Sequence, residues 1–245
     1  MANQSAVVVR SFFGDSEAQA ALNRIKATLG TDFSDTDVFP YTIVSEAVMS
    51  NGNNSYKFPI NTKNQDQSLP LQNGLLDSDL FLGYKIAITV DARVSTKPSS
   101  VIRWQFGNPN VFNATANTGT ATDIESFFNA RFLLNVSNVS KIQNLFTNKF
   151  RKVGTPAIAG TGASTAIVAT EDYANDLKWV QTPIVTLLGA DQNEYAISLI
   201  TGSDGLSIAN TATNGQNVVA VMHHGFRVPQ GTNAYRAIID ATSSK

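Results

Sequence analysis

The chain has 245 residues, of which 42% are apolar, so it can bury the core of one large domain and is not expected to be disordered as a whole. Charged residues make up only 15%, and 18 basic against 19 acidic side chains give a net charge of −1. A general electrostatic affinity for nucleic acid is therefore not expected. Because cysteine is absent, disulfides, thiolate metal sites and cysteine nucleophiles are excluded.

Asn and Thr take the place of charged residues, with 23 of each in the chain. Threonine favours strands because its β-branched side chain packs on a pleated surface, and asparagine favours turns because it tolerates left-handed backbone. The composition predicts strands joined by many loops and a large neutral polar surface. A neighbouring subunit can cover such a surface at lower cost than a charged one, since charged groups are more costly to desolvate.

The first 40 residues are predicted to form an N-terminal arm and a helix. Residues 6–9 are an apolar run, and Asp15 or Ser16 can cap the helix that Gly30 ends. Its apolar face carries Ala18, Ala21, Leu22, Ile25 and Leu29. This face packs either on its own domain or on a neighbouring subunit. On the second interpretation the subunit contacts include Phe12, Phe13, Leu22, Ile25 and Leu29.

From residue 41 to residue 245 the sequence predicts a single β domain. Turn residues separate runs with the two-residue alternation of half-buried strands, the clearest being Leu80–Val94 with one face expected to be wet. The predicted strands are 41–49, 56–60, 80–94, 101–106, 177–188, 195–200, 218–228 and 235–239. Residues 107–122 are predicted to be a loop, and residues 154–166 a linker of small residues.

A helical insertion is predicted at about residues 122–152. Thr122 and Glu125 have the spacing of a capping box. The apolar side of the first helix would carry Ile124, Phe127, Phe128 and Phe132, and that of a further helix would carry Val139, Ile142, Phe146 and Phe150. Residues 132–136 fit a strand equally well. The fold class that follows is mainly β: an antiparallel jelly roll or β-sandwich with an N-terminal helix and a helical insertion.

Four groups of polar side chains are candidates for chemistry. His223 and His224 are adjacent, so in a strand their rings face opposite sides and cannot share one metal ion. If His224 lies at a contact between subunits, it would make assembly sensitive to pH. Asp77 and Asp79, with the Asn73 amide, are candidate Ca²⁺ ligands, with a solvated loop as the alternative. The other two groups are acidic residues near 171–176 and a basic cluster.

The basic cluster is a weak candidate for contact with nucleic acid. Lys149, Arg151 and Lys152 follow Lys141 in the sequence, and a solvated helix face is the alternative interpretation. No cofactor motif stands in a suitable context, and neither a Walker loop nor the Gly-x-Ser-x-Gly motif is present. We therefore expect no catalysis and no cofactor other than Ca²⁺.

The chain resembles jelly-roll coat proteins of bacteriophages and other viruses. The resemblance is one of style over about residues 40–240, carried by the run from Leu71 to Val90 and by His223-His224-Gly-Phe-Arg-Val-Pro. It implies a virion structural protein that self-assembles into a capsid shell as trimers or higher assemblies, with or without other virion proteins. No signal peptide and no apolar run of ~18 residues are present, so we expect synthesis in the host cytoplasm and no transmembrane segment.

The alternative function is that of a phage fibre, a spike or a carbohydrate-binding β-sandwich. Sugar sites commonly place aromatic side chains beside Asn and Asp, and the candidates here are Trp104 and Trp179. Both also fit buried strand positions.

Overall fold

The computed structural model describes residues 16–29, 38–66, 68–69, 71–94, 96, 103–105, 127–151, 156–159, 166–169, 177–199, 208–233 and 235–236. The helix α1 is Ser16–Leu29. The strands are β1 (Phe39–Val48), β2 (Ser55–Pro59), β3 (Leu80–Val94), β4 (Arg103–Trp104), β5 (Arg131–Val136), β6 (Val139–Phe146), β7 (Pro156–Ala159), β8 (Ala166–Ala169), β9 (Val180–Leu188), β10 (Asn193–Ser198) and β11 (Gly215–Val228).

Two antiparallel sheets form the domain. The first has the order β1-β11-β3, and both β9 and the short β4 pair with the remaining edge of β3. The second has the order β2-β10-β5-β6. If the eight principal strands are counted along the chain, leaving out β4, β7 and β8, the sheets read 1-8-3-6 and 2-7-4-5. This is a jelly roll, and it confirms the predicted fold class.

The core lies between the two sheets, because each contributes one apolar face. Large aromatic side chains fill it, and three of them from the second sheet are fully buried: Phe58, Phe132 and Tyr195. From the first sheet, Ile43, Ile86, Ile88, Val90, Val219 and Val221 meet them. A two-residue alternation therefore sets which side chains of these strands enter the core.

The first sheet is also covered on its outer face, at the end where β3 begins. A register shift between Gly83 and Lys85 turns Tyr84 to the outer side, beside Phe226. Helix α1 packs there, and Leu22 is buried in the resulting second core. The expectation that alternate residues of β3 face solvent is wrong, because three of them are fully buried: Ala87, Thr89 and Asp91.

Four charged side chains form a buried cluster on the same outer face. Arg93 lies 3.0 Å from Glu46 and 3.6 Å from Asp91, and Arg103 lies 3.3 Å from each of these carboxylates. Burial raises the pKa of Asp91 to about 7, against the lowering effect of the two guanidinium groups. The cluster joins β1, β3 and β4, and removal of one member leaves an uncompensated buried charge.

The predicted helical insertion is wrong from residue 131 onward. Strands β5 and β6 form a hairpin there, and Thr147–Phe150 is a short 3-10 helix. The turn is made by Ser137 and Asn138, whose φ angles of 49° and 65° suit the two-residue turn that matches the twist of a hairpin. The proposed helix start at Thr122 lies outside the described residues.

Two further expectations need correction. Within the predicted linker 154–166, Pro156–Ala159 is a strand that pairs with Ala166–Ala169. Residues 235–236, predicted to begin a strand, are helical instead. The turn at Pro229 and Gln230 ends β11, and the Thr232 hydroxyl then donates a hydrogen bond to the Asp79 carbonyl, which directs the chain away from the sheet.

The close approach of the Gly83 backbone to the His223 ring gives a stability test. A methyl group on Gly83 would overlap the buried ring of His223, so we expect Gly83→Ala to lower the free energy of unfolding by about 3 kcal/mol. Gly52→Ala is the control, since no atom lies within 4 Å of its added methyl group and only its positive φ opposes it, at about 1 kcal/mol. Urea unfolding of both variants measures this, and equal losses would contradict the tight contact.

Candidate functional site

His223 lies in the core and joins the two sheets. Its Nδ1 is 2.9 Å from the Tyr195 hydroxyl of β10, with which it shares a hydrogen bond, and Phe81 packs edge-on against its ring. Burial lowers the pKa of His223 to about 3, helped by the nearby His224 and opposed by a hydrogen bond to the Gly83 backbone. The ring is therefore neutral at pH 7 and acts in packing.

His224 lies on the opposite face of β11, as the strand alternation predicts. Its Nδ1 is 2.8 Å from the Thr42 hydroxyl, and its ring packs against Tyr84 and Trp179. The Lys85 ammonium lies 5.6 Å from the centre of the Trp179 ring. Trp179, a predicted sugar-binding residue, thus packs against side chains of its own chain; nothing is described of the side chain of Trp104. The pH-sensitive contact at His224 stays a prediction.

The proposed Ca²⁺ ligands have different protein partners, and Ca²⁺ binding at this position stays a prediction. The carboxylate of Asp79 is buried and binds Arg227 through both oxygens, at 2.9 and 3.1 Å. Asp77 contacts Lys63 at 3.0 Å and accepts a hydrogen bond from Asn61. The Asn73 amide is used by Tyr41 and Thr42. Within the described ranges no group of three or more His, Asp or Glu side chains is placed to hold a metal ion.

The basic residues do not form one helix face. Lys149 is exposed in the short 3-10 helix, and the Arg151 carbonyl accepts a hydrogen bond from Lys178. Lys141 lies near the other end of β6, and Lys152 is outside the described residues. A contact between these residues and nucleic acid stays a prediction.

A groove lined by amide side chains lies on the outer face of the second sheet. It has a volume of about 530 Å³, and Lys57 and Glu194, 3.7 Å apart, lie along it. Its other lining residues are Pro59, Asn64, Asn135, Asn138, Ser140, Gln192 and Asn193. Across the described part of the chain, four side-chain amides of this groove have no hydrogen-bond partner, those of Asn64, Asn135, Asn138 and Gln192. They can bind a neutral polar ligand.

A second groove, which we call the edge groove, opens between β6 and β9, on the side of the sandwich where each sheet ends. Its volume is about 470 Å³. Apolar atoms make up slightly more than half of the lining, and Lys141 and Asp191 are its charged members: Val136, Lys141, Pro183, Ile184, Val185, Thr186, Leu188, Asp191 and Tyr235. Asp191 is already paired with Arg236 at 2.9 Å. The edge groove therefore suits an apolar partner better than a charged one.

The strands on each side of the edge groove carry features that interrupt regular edges. Pro183 lies in β9 opposite the register shift in β3, and Asn144 of β6 has a left-handed φ of 52° beside a register shift. Proline and bulges are found on edge strands because the outer backbone groups have no ladder to complete. Among the described residues, the outer edge of β9 from Val185 to Leu188 has no strand partner. Its backbone groups are open to pairing.

Exposed apolar side chains lie at both ends of the sandwich. Phe39, Leu76 and Val139 are each at least half exposed and share the end where β1 and β6 begin. Val48 and Val94 lie at the other end, where β1 and β3 finish. Together with the edge groove, they give the surface several sites for contact with another protein.

The hairpin of β7 and β8 forms a sheet of its own. Its strands read Pro-Ala-Ile-Ala and Ala-Ile-Val-Ala, and residues 153–170 contain no charged side chain. An isolated two-stranded hairpin is at best marginally stable in water, and it needs a third strand or another apolar surface to pack on. This segment is therefore a candidate contact element, and the sequence showed it only as a small-residue linker.

The predicted contacts of the N-terminal helix turn out differently. The structure corrects the assignment of Leu22 as a subunit contact, because its side chain is only 7% exposed and packs on the β3–β11 sheet of its own chain. Phe12 and Phe13 lie outside the described residues, as do the side chains of Ile25 and Leu29.

No family model, no curated protein and no solved structure matches this chain.

The buried histidine gives a pH test. Because the folded pKa of His223 lies below its ordinary value of 6.5, its contribution is complete above pH 6.5 and is lost as the pH falls toward 3. We expect His223→Leu to be less stable than wild type at pH 7.5, and the difference to narrow by up to about 1.4 kcal/mol per pH unit below 6.5. Urea unfolding at several pH values measures both curves.

Asp91 acts in the opposite direction, since its raised pKa removes stability as the pH rises from 3.8 to about 7. Asp91 is present in both wild type and His223→Leu, so the difference between their free energies of unfolding reports on His223 alone. Tyr195→Phe is the control, because it removes the hydrogen bond to His223 and leaves the His223 ring buried. A parallel pair of curves for wild type and His223→Leu would show that the ring titrates normally.

Proposed function

We propose that the chain is a virion coat subunit that assembles with copies of itself into a shell and performs no catalysis. The proposal rests on one observation above all: in the described part of the chain, side chains pack the space between the two sheets, whereas an uncharged apolar hairpin lies outside this core. Viral coats, lectins and cupins all use jelly rolls, so the fold alone does not decide among these functions. The surface and the interior supply the argument.

The interior favours a structural role. The space between the two sheets is occupied by interlocking aromatic rings: Phe132 stacks on Tyr195 and meets Phe150 edge-on. His223 is a polar side chain of the described core, but it is neutral and shares a hydrogen bond with Tyr195. A ligand would have to displace core side chains to enter, so we assign the function to the outer surface.

The surface favours association with a partner of low charge. Exposed apolar side chains occur at both ends of the sandwich, and the outer face of the second sheet carries mostly neutral polar residues. Only 15% of the chain is charged, so a neighbour can cover these areas with little desolvation of ions. A second copy supplies such a surface without requiring any other protein.

The proposal also concerns nucleic acid and membranes. With a net charge of −1, and with the exposed Lys141 and Lys149 near opposite ends of β6, direct binding of nucleic acid is expected to be weak or absent. Within the described residues no helix is long and apolar enough to cross a membrane. We propose trimers or larger assemblies in the virion, alone or with other virion proteins.

Light scattering after size exclusion tests the coat function directly. We expect the purified chain to elute as trimers, hexamers or closed shells, with regular particles in negative-stain micrographs of the peak. A mass of one 26.3 kDa chain at every protein concentration, salt concentration and calcium concentration would contradict the proposal.

A carbohydrate-binding module is the second candidate, and the amide-lined groove favours it. Four unpaired amides offer paired donors and acceptors to vicinal hydroxyl groups, and the ion pair of Lys57 and Glu194 keeps the groove neutral. The groove contains no aromatic ring on which a sugar could stack.

A glycan array tests this second candidate. If it is correct, the double variant Asn135→Ala/Gln192→Ala should lose at least about tenfold in affinity, or 1.4 kcal/mol, because two hydrogen-bonding groups are removed. The control, Ser55→Ala/Ser198→Ala, changes a distant part of the same sheet face. No glycan bound by wild type, together with particle formation, would exclude this function in favour of the coat.

A further inference from the structure

We propose that the buried cluster of Glu46, Asp91, Arg93 and Arg103 is a proton-operated latch that holds β4 on the first sheet. With a proton on Asp91 the cluster stays closed beneath Arg103. Loss of that proton favours an open state in which the Arg103 end of β4 leaves β3 and water reaches Asp91. The latch is a property of a single subunit, so it does not depend on the proposed coat function.

The two carboxylates of the cluster are not equally well bound. Glu46 uses both oxygens: the Arg93 guanidinium holds them at 3.0 and 3.1 Å as a fork, and Arg103 adds a contact of 3.3 Å. Asp91 makes its ion pairs through Oδ2 alone, which lies 3.3 Å from Arg103 and 3.6 Å from Arg93. Its Oδ1 is buried and makes no hydrogen bond of good geometry. Asp91 is therefore the carboxylate that gains more from a proton.

A proton on Asp91 would have an acceptor close by. The Thr89 hydroxyl is near enough to Asp91 to affect its ionisation, yet its oxygen is also buried without a well-formed hydrogen bond. Both side chains lie on the outer face of β3, two positions apart, and both are fully buried. A protonated Oδ1 can donate to the Thr89 oxygen, so the neutral form of Asp91 keeps its polar atoms satisfied while the cluster is closed.

Within the described residues, the charged groups that act on Asp91 all belong to the cluster. Glu46 faces Asp91 from β1, Arg93 from β3 itself and Arg103 from β4. Strand β11 contributes the buried, uncharged Val218 opposite Asp91. Burial has the largest effect on Asp91, larger than that of either guanidinium group, and the pKa of Asp91 in the closed state is about 7.

Strand β4 is the part of the cover that can move. Its two residues, Arg103 and Trp104, pair with Asp91 and Val90 of β3. The Arg103 side chain is 22% exposed, whereas the other three charged side chains of the cluster are at most 1% exposed. Among the four, Arg103 is thus the side chain that reaches solvent with the smallest movement.

Gln105 fixes the chain directly after β4 and supplies a hinge. Its side-chain nitrogen donates hydrogen bonds to the Ile88 and Lys178 carbonyls at 3.4 and 3.0 Å, and its side-chain oxygen accepts one from the Lys178 backbone N–H. These hydrogen bonds join an amide side chain to backbone groups, so none of them titrates. The Gln105 end therefore stays attached while the Arg103 end responds to Asp91.

The direction of the pH effect follows from proton linkage. In the open state water relieves the desolvation of Asp91, and the pKa of Asp91 falls toward its ordinary value of 3.8. Because the closed state has the higher pKa, it binds the proton more tightly than the open state does. Opening therefore becomes easier as the pH rises from 3.8 to about 7, and a further rise in pH has little effect.

Hydrogen exchange followed by NMR tests the latch. The exchange rate of the protected amides of β4 is divided by that of an unstructured peptide at the same pH, which removes the intrinsic effect of pH on exchange. This ratio should rise by up to about tenfold per pH unit and level off near pH 7. The chemical shift of the Asp91 carboxyl carbon, measured in the same samples, should change with its midpoint at the pH where the ratio levels off.

Asp91→Asn is the matched variant, because it keeps the shape of the side chain and fixes the cluster in the form without this charge. We expect its β4 amides to stay protected, with an exchange ratio that does not change with pH. Asp77→Asn is the control, since Asp77 is an exposed aspartate that contacts Lys63 outside the cluster. This control should keep the pH dependence of wild type.

The outcomes are decisive for the latch and separate from assembly. An exchange ratio of β4 that does not change with pH in wild type would overturn the latch, and so would an equal pH dependence in Asp91→Asn. If Asp91→Asn does not fold, the carboxyl titration of wild type still decides, because a midpoint near 3.8 would show that the closed cluster does not hold the proton. Failure of the latch would leave the coat function untouched, and a subunit that stays single would leave the latch untouched.

Discussion

Burial of the first sheet on both faces is the constraint on which the rest of the structure depends. Its inner face meets the second sheet across an aromatic core, and its outer face carries helix α1 at one end and the four-charge cluster at the other. The paired strands β3 and β11 run through the middle of this sheet over 14 residues of β11. In the described part of the chain, the edges and the ends of this sheet are therefore more open to another molecule than its faces are.

That constraint explains the distribution of the candidate contact surfaces. Strand β9 has one edge in the sheet and one edge open to the groove, and the exposed side chains of Phe39, Leu76 and Val139 lie around one end. The second sheet differs, because its outer face is polar and partly exposed to solvent. The proposed coat function would therefore place contacts with an apolar partner at the sides and ends of the sandwich.

Much of the fold could be predicted from local patterns. The bounds of β3 follow from an alternation of side chains that only Tyr84 interrupts, and the opposite placement of His223 and His224 follows from the alternation in β11. The hairpin of β5 and β6 was not predictable in the same way. Phe128, Phe132, Val139 and Ile142 also have helical spacing, and the turn at Ser137 is decided by left-handed backbone that a residue count does not show.

The candidate sites were harder to predict than the strands, because their partners are distant in sequence. Arg227 pairs with Asp79 from 148 positions away, a contact that the local pair of aspartates in the sequence does not show. The wet face expected for β3 failed for a similar reason, since Arg103 and Glu46 cover Asp91 from other strands. The edge groove depends on which strands end each sheet, and topology alone supplies that information.

Hydrogen exchange measured over a range of protein concentrations is the most direct test of self-assembly through these surfaces. The account predicts that amides of the β7–β8 hairpin and the outward-facing amides of β9 between Val185 and Leu188 exchange quickly in dilute protein and become protected together as concentration rises. Amides in the core strands β3 and β11 should stay protected throughout, which provides the internal reference. Exchange at all these sites that does not change with concentration, in a protein whose mass remains that of one chain, would contradict the central claim.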